Sequence, residues 1–148
     1  MIYETGTILL IKNYQLPSKV KDKFFIVLGT IDNRTILLSM TTSQVYFDSS
    51  LIKHGIIRDR DISVYCFEKG RAIGKNGFSF HKNTFISQRS NILSFSLEKI
   101  DNLTIEYIDC LTKEETVNIL YSFYKYEGTA NKYKSFLEEI LNNFSLIN

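Results

Sequence analysis

The apolar residues of this chain change their spacing once, and that change limits the folds open to it. Up to Cys110 they gather in short runs of strand length, broken by turn-forming residues. These runs are Thr7–Ile11, Phe24–Leu28, Ile36–Thr41, Val45–Phe47, Ile62–Phe67, Phe78–Phe80, Thr84–Ile86, Ile92–Leu97 and Leu103–Ile108. Such runs predict strands. Phe24–Leu28 is apolar throughout and closes on Gly29; with Ile36–Thr41 it predicts a hairpin turning near Asp32 to Arg34. The polar stretch Asn13–Asp22 carries the only proline, Pro17, and predicts a loop. From Leu111 the spacing becomes helical. Thr112 and Glu115 have the spacing of a capping box, in which each side chain satisfies a backbone N–H at the helix start. Val117, Leu120, Tyr121 and Tyr124 then share one face, with Gly128 as the stop. A second helix from about Asn131 carries Tyr133, Phe136, Leu137, Ile140, Leu141 and Phe144 on one stripe.

Strands followed by two helices predict an α+β chain, mainly β: a small, strongly curved sheet or barrel with helices on one side. The 148 residues suit one domain, 1–148, with a β-rich part over 1–110 and a helical tail over 111–148. Tyr and Phe make up 14% of the chain, which again favours pleated surfaces. No apolar run approaches the roughly 20 residues of a membrane-spanning helix. Met1-Ile2-Tyr3-Glu4 does not open a secretory signal, and two cysteines, Cys66 and Cys110, are too few for a disulfide scaffold. A cytoplasmic location is the resulting expectation, with both thiols buried.

The net charge of +2 hides an asymmetry. Between Lys53 and Arg89, eight bases face three acids, a net +5. Lys12, Lys19, Lys21 and Lys23 face only Asp22 in a second cluster. Either these are solvated loops, or both segments border one anionic site. Within the larger window lies Gly70-Arg71-Ala72-Ile73-Gly74-Lys75-Asn76-Gly77, which predicts a turn or exposed loop and lacks the order of a phosphate loop. His54 and His81 are the only histidines, and neither stands at a metal-ligand spacing. No cofactor is implied. Leu38-Ser39-Met40-Thr41-Thr42-Ser43-Gln44 is an apolar strand ending abruptly in hydroxyls and an amide. Such an end can cap itself locally, or line a phosphate-binding pocket beside a cation.

Several segments together resemble the MazF/PemK/Kid family of toxin endoribonucleases. They are Gly6-Thr7-Ile8-Leu9-Leu10-Ile11, Lys23-Phe24-Phe25-Ile26-Val27-Leu28-Gly29, the Thr41-Thr42-Ser43 strand end, and Leu111-Thr112-Lys113-Glu114-Glu115 opening a helix. The resemblance covers about the first 44 residues and the region around 103 to 125; the basic segment near 49–90 has no counterpart. It implies a PemK-type, SH3-like barrel, a homodimer, and an antitoxin protein as inhibitor. It also implies metal-independent cleavage of single-stranded RNA to a cyclic phosphate and a 5′-hydroxyl. Lys23 matches the family's catalytic Arg, and Thr42 and Ser43 match its Thr-Ser. Lys23 keeps the charge of that Arg without its planar fork, Phe24 replaces the following Pro, and Thr7 stands where an acid is usual.

Such chemistry needs a cation on the phosphate, a base and an acid. On the endoribonuclease reading, Lys23, with Arg58 or Arg60, stabilises the phosphate; Thr42 and Ser43 hydrogen-bond it; His54 or His81 carries the proton. Lys19, Lys21, Arg58, Arg60, Arg71, Lys75 and Lys82 are the candidate RNA contacts. The alternative is a non-catalytic SH3-like binding module for nucleic acid or a protein partner, with the 49–90 segment as its recognition surface. A third reading has the two-helix tail docking on a larger complex.

Overall fold

The computed structural model describes residues 3–44 and 47–146. Met1, Ile2, Val45 and Tyr46 lie outside the described residues, and with them most of the predicted strand Val45–Phe47. The chain is α+β and strand-rich. β1 (Thr7–Gln15), β2 (Val20–Ile31), β3 (Thr35–Met40), β7 (Leu93–Ser96) and β8 (Ile105–Cys110) form a sheet in the order β7-β3-β2-β1-β8. β4 (Gly55–Asp59), β5 (Ile62–Phe67) and β6 (Thr84–Ser87) form a smaller sheet in that order. All the pairings are antiparallel. Three α-helices, α1 (Leu97–Asp101), α2 (Lys113–Lys125) and α3 (Asn131–Leu146), and one short 3-10 turn, Ser49–Leu51, complete the described residues. Among the described residues, no helix is long and apolar enough to cross a membrane.

The run Phe24–Leu28 is apolar throughout because this middle part of β2 is covered on both faces. Ile26 and Leu28 face one core with Ile8, Leu37, Tyr65 and Phe67, where Ile119, Leu120 and Phe123 of α2 and Leu137 of α3 also pack. Phe25 and Val27 face the other core with Leu9, Ile11, Ile36, Leu38, Phe95 and Ile100 of α1. Gly29 lets α3 lie close on β2: a Cβ there would stand 2.7 Å from the Phe136 ring and 2.8 Å from Ile140 Cδ1.

Four local expectations need correction. Asn13–Asp22 is not all loop. Tyr14 pairs with Lys21 and Gln15 with Val20, and only Leu16–Lys19 connects β1 to β2. A register shift after Ile11, with Asn13 at φ 50°, leaves most of this ribbon exposed, with Tyr14 packing back on Phe25 at 5.0 Å, so its residues show no run of apolar alternation. Phe78–Phe80 is not a strand; its rings pack in loop geometry against Phe24 at 5.9 and 5.2 Å, and Phe80 packs against Phe67 at 5.5 Å. The strand predicted over Ile92–Leu97 stops at Ser96, whose hydroxyl accepts from Lys99 N–H at 3.1 Å and caps α1. β4 is an unpredicted strand, because Ile57 is its only fully buried residue.

The glycine-containing loop is anchored rather than free. Ile73 and Phe80 are core residues. The buried Asp109 carboxylate on β8 accepts from the backbone N–H groups of Asn76, Phe78 and Cys110, at 2.7–3.2 Å. A Cβ on Gly74 would run into that carboxylate. Gly74→Ala is therefore expected to cost about 1–3 kcal/mol by overpacking. Asp109→Ala strands three backbone donors and is expected to cost about 2 kcal/mol or more. Urea unfolding followed by circular dichroism checks both. Burial, with Glu68 behind it, pushes the Cys66 thiol up to about 11. Alkylation needs the thiolate. Intact-mass labelling at neutral pH should therefore find Cys66 unmodified in the folded protein and modified once it is denatured.

Candidate nucleic-acid interface

The structure divides the residues singled out from sequence among separate places. Lys19 and Lys21 are exposed on the β1–β2 ribbon. Lys23 is half-buried on β2 opposite Ile11; burial, and then Lys21 and Lys19, push its ammonium below the usual lysine range. Thr42 joins the two sheets: its N–H donates to the Phe85 carbonyl at 2.9 Å, and Phe85 N–H donates back at 2.7 Å. Its hydroxyl accepts from Gln44 N–H at 3.1 Å, the local capping such a strand end can supply for itself. Ser43 is exposed beside it. Arg71 and Lys75 are exposed on the anchored loop, and His81 and Lys82 are exposed just before β6.

His54 is occupied within the fold. Its Nε2 lies 2.8 and 3.0 Å from the two Glu115 carboxylate oxygens, and its Nδ1 accepts from Glu68 N–H at 3.3 Å. These partners put the proton on Nε2, donated to Glu115. Tyr65 donates its hydroxyl to the same carboxylate at 2.5 Å. Burial, and then that bond, hold the Tyr65 phenol well above the usual tyrosine range. The His54 and Glu115 side chains are each only 10% exposed. His54 thus clamps the start of β4 to α2, and the proton-carrying role assigned to it meets a ring whose two nitrogens are already engaged. The capping box is only half formed. Thr112 Oγ1 accepts from Glu115 N–H at 3.4 Å, while the Glu115 carboxylate turns to His54 and Tyr65. One sequence signal pointed there: Glu115 shares a helix face with Ile119 and Ser122, and an acid on a buried face needs partners.

A cationic groove of about 630 Å³ forms elsewhere, where the β4–β5 turn, the end of β6 and the end of α2 meet. Arg58 and Arg60 come from β4 and its turn, Arg89 follows β6, and Lys125 and Tyr126 end α2. Arg60 holds a left-handed φ of 52° in the two-residue turn closed by the Asp59–Ile62 pair. Among the described residues, none of the three guanidiniums lies within 4.0 Å of a carboxylate. Arg58 donates one long bond, 3.4 Å, to the Ser122 carbonyl. Beneath the groove, the buried Gln88 accepts from Ser63 Oγ at 2.9 Å and donates to Ser122 Oγ at 3.2 Å, tying β5 to α2.

Of the predicted contacts, the groove gathers Arg58 and Arg60. Lys23, His54, His81, Arg71, Lys75 and Lys82 do not line it. Thr42 lines a smaller pocket that shares a wall with it. Sequence reading did not select Arg89, Lys125, Tyr126 or Asp61, because only folding brings them together. Among the described residues, no group of three or more His, Cys, Asp or Glu is placed to share a metal ion.

His54→Ala leaves the Glu115 carboxylate with one partner fewer in a site largely shielded from water. It is expected to destabilise the protein by about 2 kcal/mol, read as a lower midpoint in urea. Compared with known proteins, the chain matches no family model, no curated protein and no solved structure.

Proposed function

We propose that this chain binds single-stranded RNA along the groove of Arg58, Arg60, Arg89 and Lys125, without cutting it. The observation that carries this reading is the convergence of three guanidiniums, none paired with a carboxylate among the described residues, from two separate parts of the chain, with Lys125 joining them from the end of α2. Like charges held together repel, and a polyanion relieves that repulsion while releasing its counterions. Guanidinium forks suit phosphate oxygens. Tyr126 adds an aromatic face on which an unpaired base can stack. Rigidity also favours the reading: the wall is tied through Ser63, Gln88 and Ser122, so little ordering is needed on binding. Neither histidine reaches the groove. His54 is bonded to Glu115, and His81 stands at the other end of β6 from Arg89.

A second reading, the metal-independent endoribonuclease of a toxin–antitoxin pair on a PemK-type barrel, is favoured by one observation. Thr41 N–H donates to the Phe24 carbonyl at 3.0 Å, so Lys23 and Thr42 stand at neighbouring positions across the β2–β3 pair. The residues that the resemblance assigns to the phosphate are therefore close along the backbone. A homodimer and an antitoxin partner belong to this second reading.

Fluorescence anisotropy with a labelled single-stranded RNA, titrated across salt, tests the groove. Replacing Arg58, Arg60 and Arg89 together by Ala should weaken binding more than tenfold. It should also flatten the log K against log salt slope by about 2, since each lost phosphate contact removes about 0.7 on single strands. Unchanged affinity in that variant would overturn the groove assignment. The same RNA incubated in EDTA should stay intact. Cutting by the wild type but not by Lys23→Ala would move the function to the second reading.

A further inference from the structure

The cationic groove opens sideways into a second, less polar pocket. The two share Asp61, Ile62, Ser63, Arg89 and Tyr126. The second pocket has a volume of about 230 Å³, the liquid volume of roughly eight water molecules. Its apolar wall is Val64 and Phe85, and Phe47 packs edge-on against Phe85 with ring centroids 5.8 Å apart. Facing that wall are the polar side chains of Thr42, Gln44, Asp61, Ser63, Ser87 and Arg89, so the pocket pairs an apolar surface for a flat ring with hydrogen-bonding groups that can fix its orientation. Arg89 belongs to both compartments, so a ring held in the pocket has a cation beside it for its own phosphate.

The phosphate reading leaves two carboxylates of the groove unexplained, Asp61 and Glu127, and of the two Asp61 also lines the second pocket. It stands in the groove wall among arginines, yet among the described residues it makes no ion pair within 4.0 Å. An ionised carboxylate only accepts hydrogen bonds, and it repels phosphate. Its place beside a polyanion site weakens the very binding the arginines favour, unless the ligand also offers N–H donors there. The amino-bearing bases do so. Guanine presents two adjacent donors, and adenine and cytosine an exocyclic amino group. Uracil flanks its single N–H with two carbonyl oxygens, which a carboxylate repels. The tight turn closed by the Asp59–Ile62 pair fixes the backbone that carries Asp61, and its exposed carboxylate is accessible to a ligand.

We infer that this pocket takes one base of the bound strand, and that Asp61 accepts from its amino group, selecting adenine, cytosine or guanine over uracil. The inference rests on the proposal that the groove binds RNA, and it adds the specificity of one position. Asp61→Asn exchanges the carboxylate for an amide that offers both a donor and an acceptor, so uracil then fits.

The test uses the full chain with labelled oligo(A), oligo(C) and oligo(U) of about ten nucleotides, read by anisotropy at fixed salt. Wild type should bind oligo(A) and oligo(C) about tenfold more tightly than oligo(U). Asp61→Asn, a change at an exposed turn position, should bring the three within about twofold of one another, mainly by tightening oligo(U). Equal binding of all three by wild type, with loss of all three in the triple arginine variant, would overturn the base pocket and leave the groove standing. An equal gain for all three oligomers in Asp61→Asn would show Asp61 acting only as a charge in the groove and would overturn the inference. No binding of any oligomer by wild type would overturn the groove reading and the inference together.

Discussion

Between Phe25 and Gly29 both faces of β2 are out of water, and the rest of the chain is arranged around that burial. Ile26 and Leu28 look one way and Phe25 and Val27 the other, each nearly inaccessible. A strand covered on both faces needs a layer on each side. The smaller sheet, α2 and α3 supply one; α1 and the residues around it supply the other. Gly29 is the point where this arrangement meets a steric limit, because α3 lies too close for a side chain there.

Three buried or nearly buried polar side chains fasten elements that apolar packing alone would leave free to slide. Asp109 gathers the backbone donors of the anchored loop, Glu115 takes His54 and Tyr65, and Gln88 takes Ser63 and Ser122. Apolar contact has little directional preference, whereas a buried carboxylate or amide must find its partners. The consequence for function is specific. His54, which by residue type suits proton transfer, is drawn into this fastening. The groove meanwhile receives a firm wall from Gln88. What lines the groove is four cations, the carboxylates Asp61 and Glu127 and the Tyr126 ring, with neither histidine among them.

The charge pattern of the chain points the same way. With a net charge of only +2, no general field draws a polyanion to the surface. On the proposed reading the local grouping does so instead: Arg58, Arg60, Arg89 and Lys125 stand with Asp61 and Glu127 around one groove. Other cations of the same segment, Arg71, Lys75 and Lys82, are carried elsewhere by the anchored loop and the turn before β6. The +5 segment is thus divided, and part of it forms the candidate site.

Much of the fold was legible in the sequence. The change from strand to helical spacing at Leu111 coincides with the change from β8 to α2, because burying one face demands a fixed period. Runs such as Phe24–Leu28 and Ile62–Phe67 announced core strands for the same reason. The exposed β1–β2 ribbon and β4 left no such mark, since residues in water need no alternation. Phe78 and Phe80 left a false one, because aromatic rings fill a core from a loop as well as from a strand. Sequence also located the basic segments and the hydroxyl-rich end at Thr42. It could not separate Arg58 and Arg60, which share a groove, from Arg71, Lys75 and Lys82, which do not. It could not join Arg89, Lys125 and Tyr126 to them either. Local periodicity reports whether a residue is buried, and that much the chain determined by itself. Which cations stand together, and that Glu115 consumes His54, was decided only by tertiary structure, because those contacts join residues that no local pattern relates.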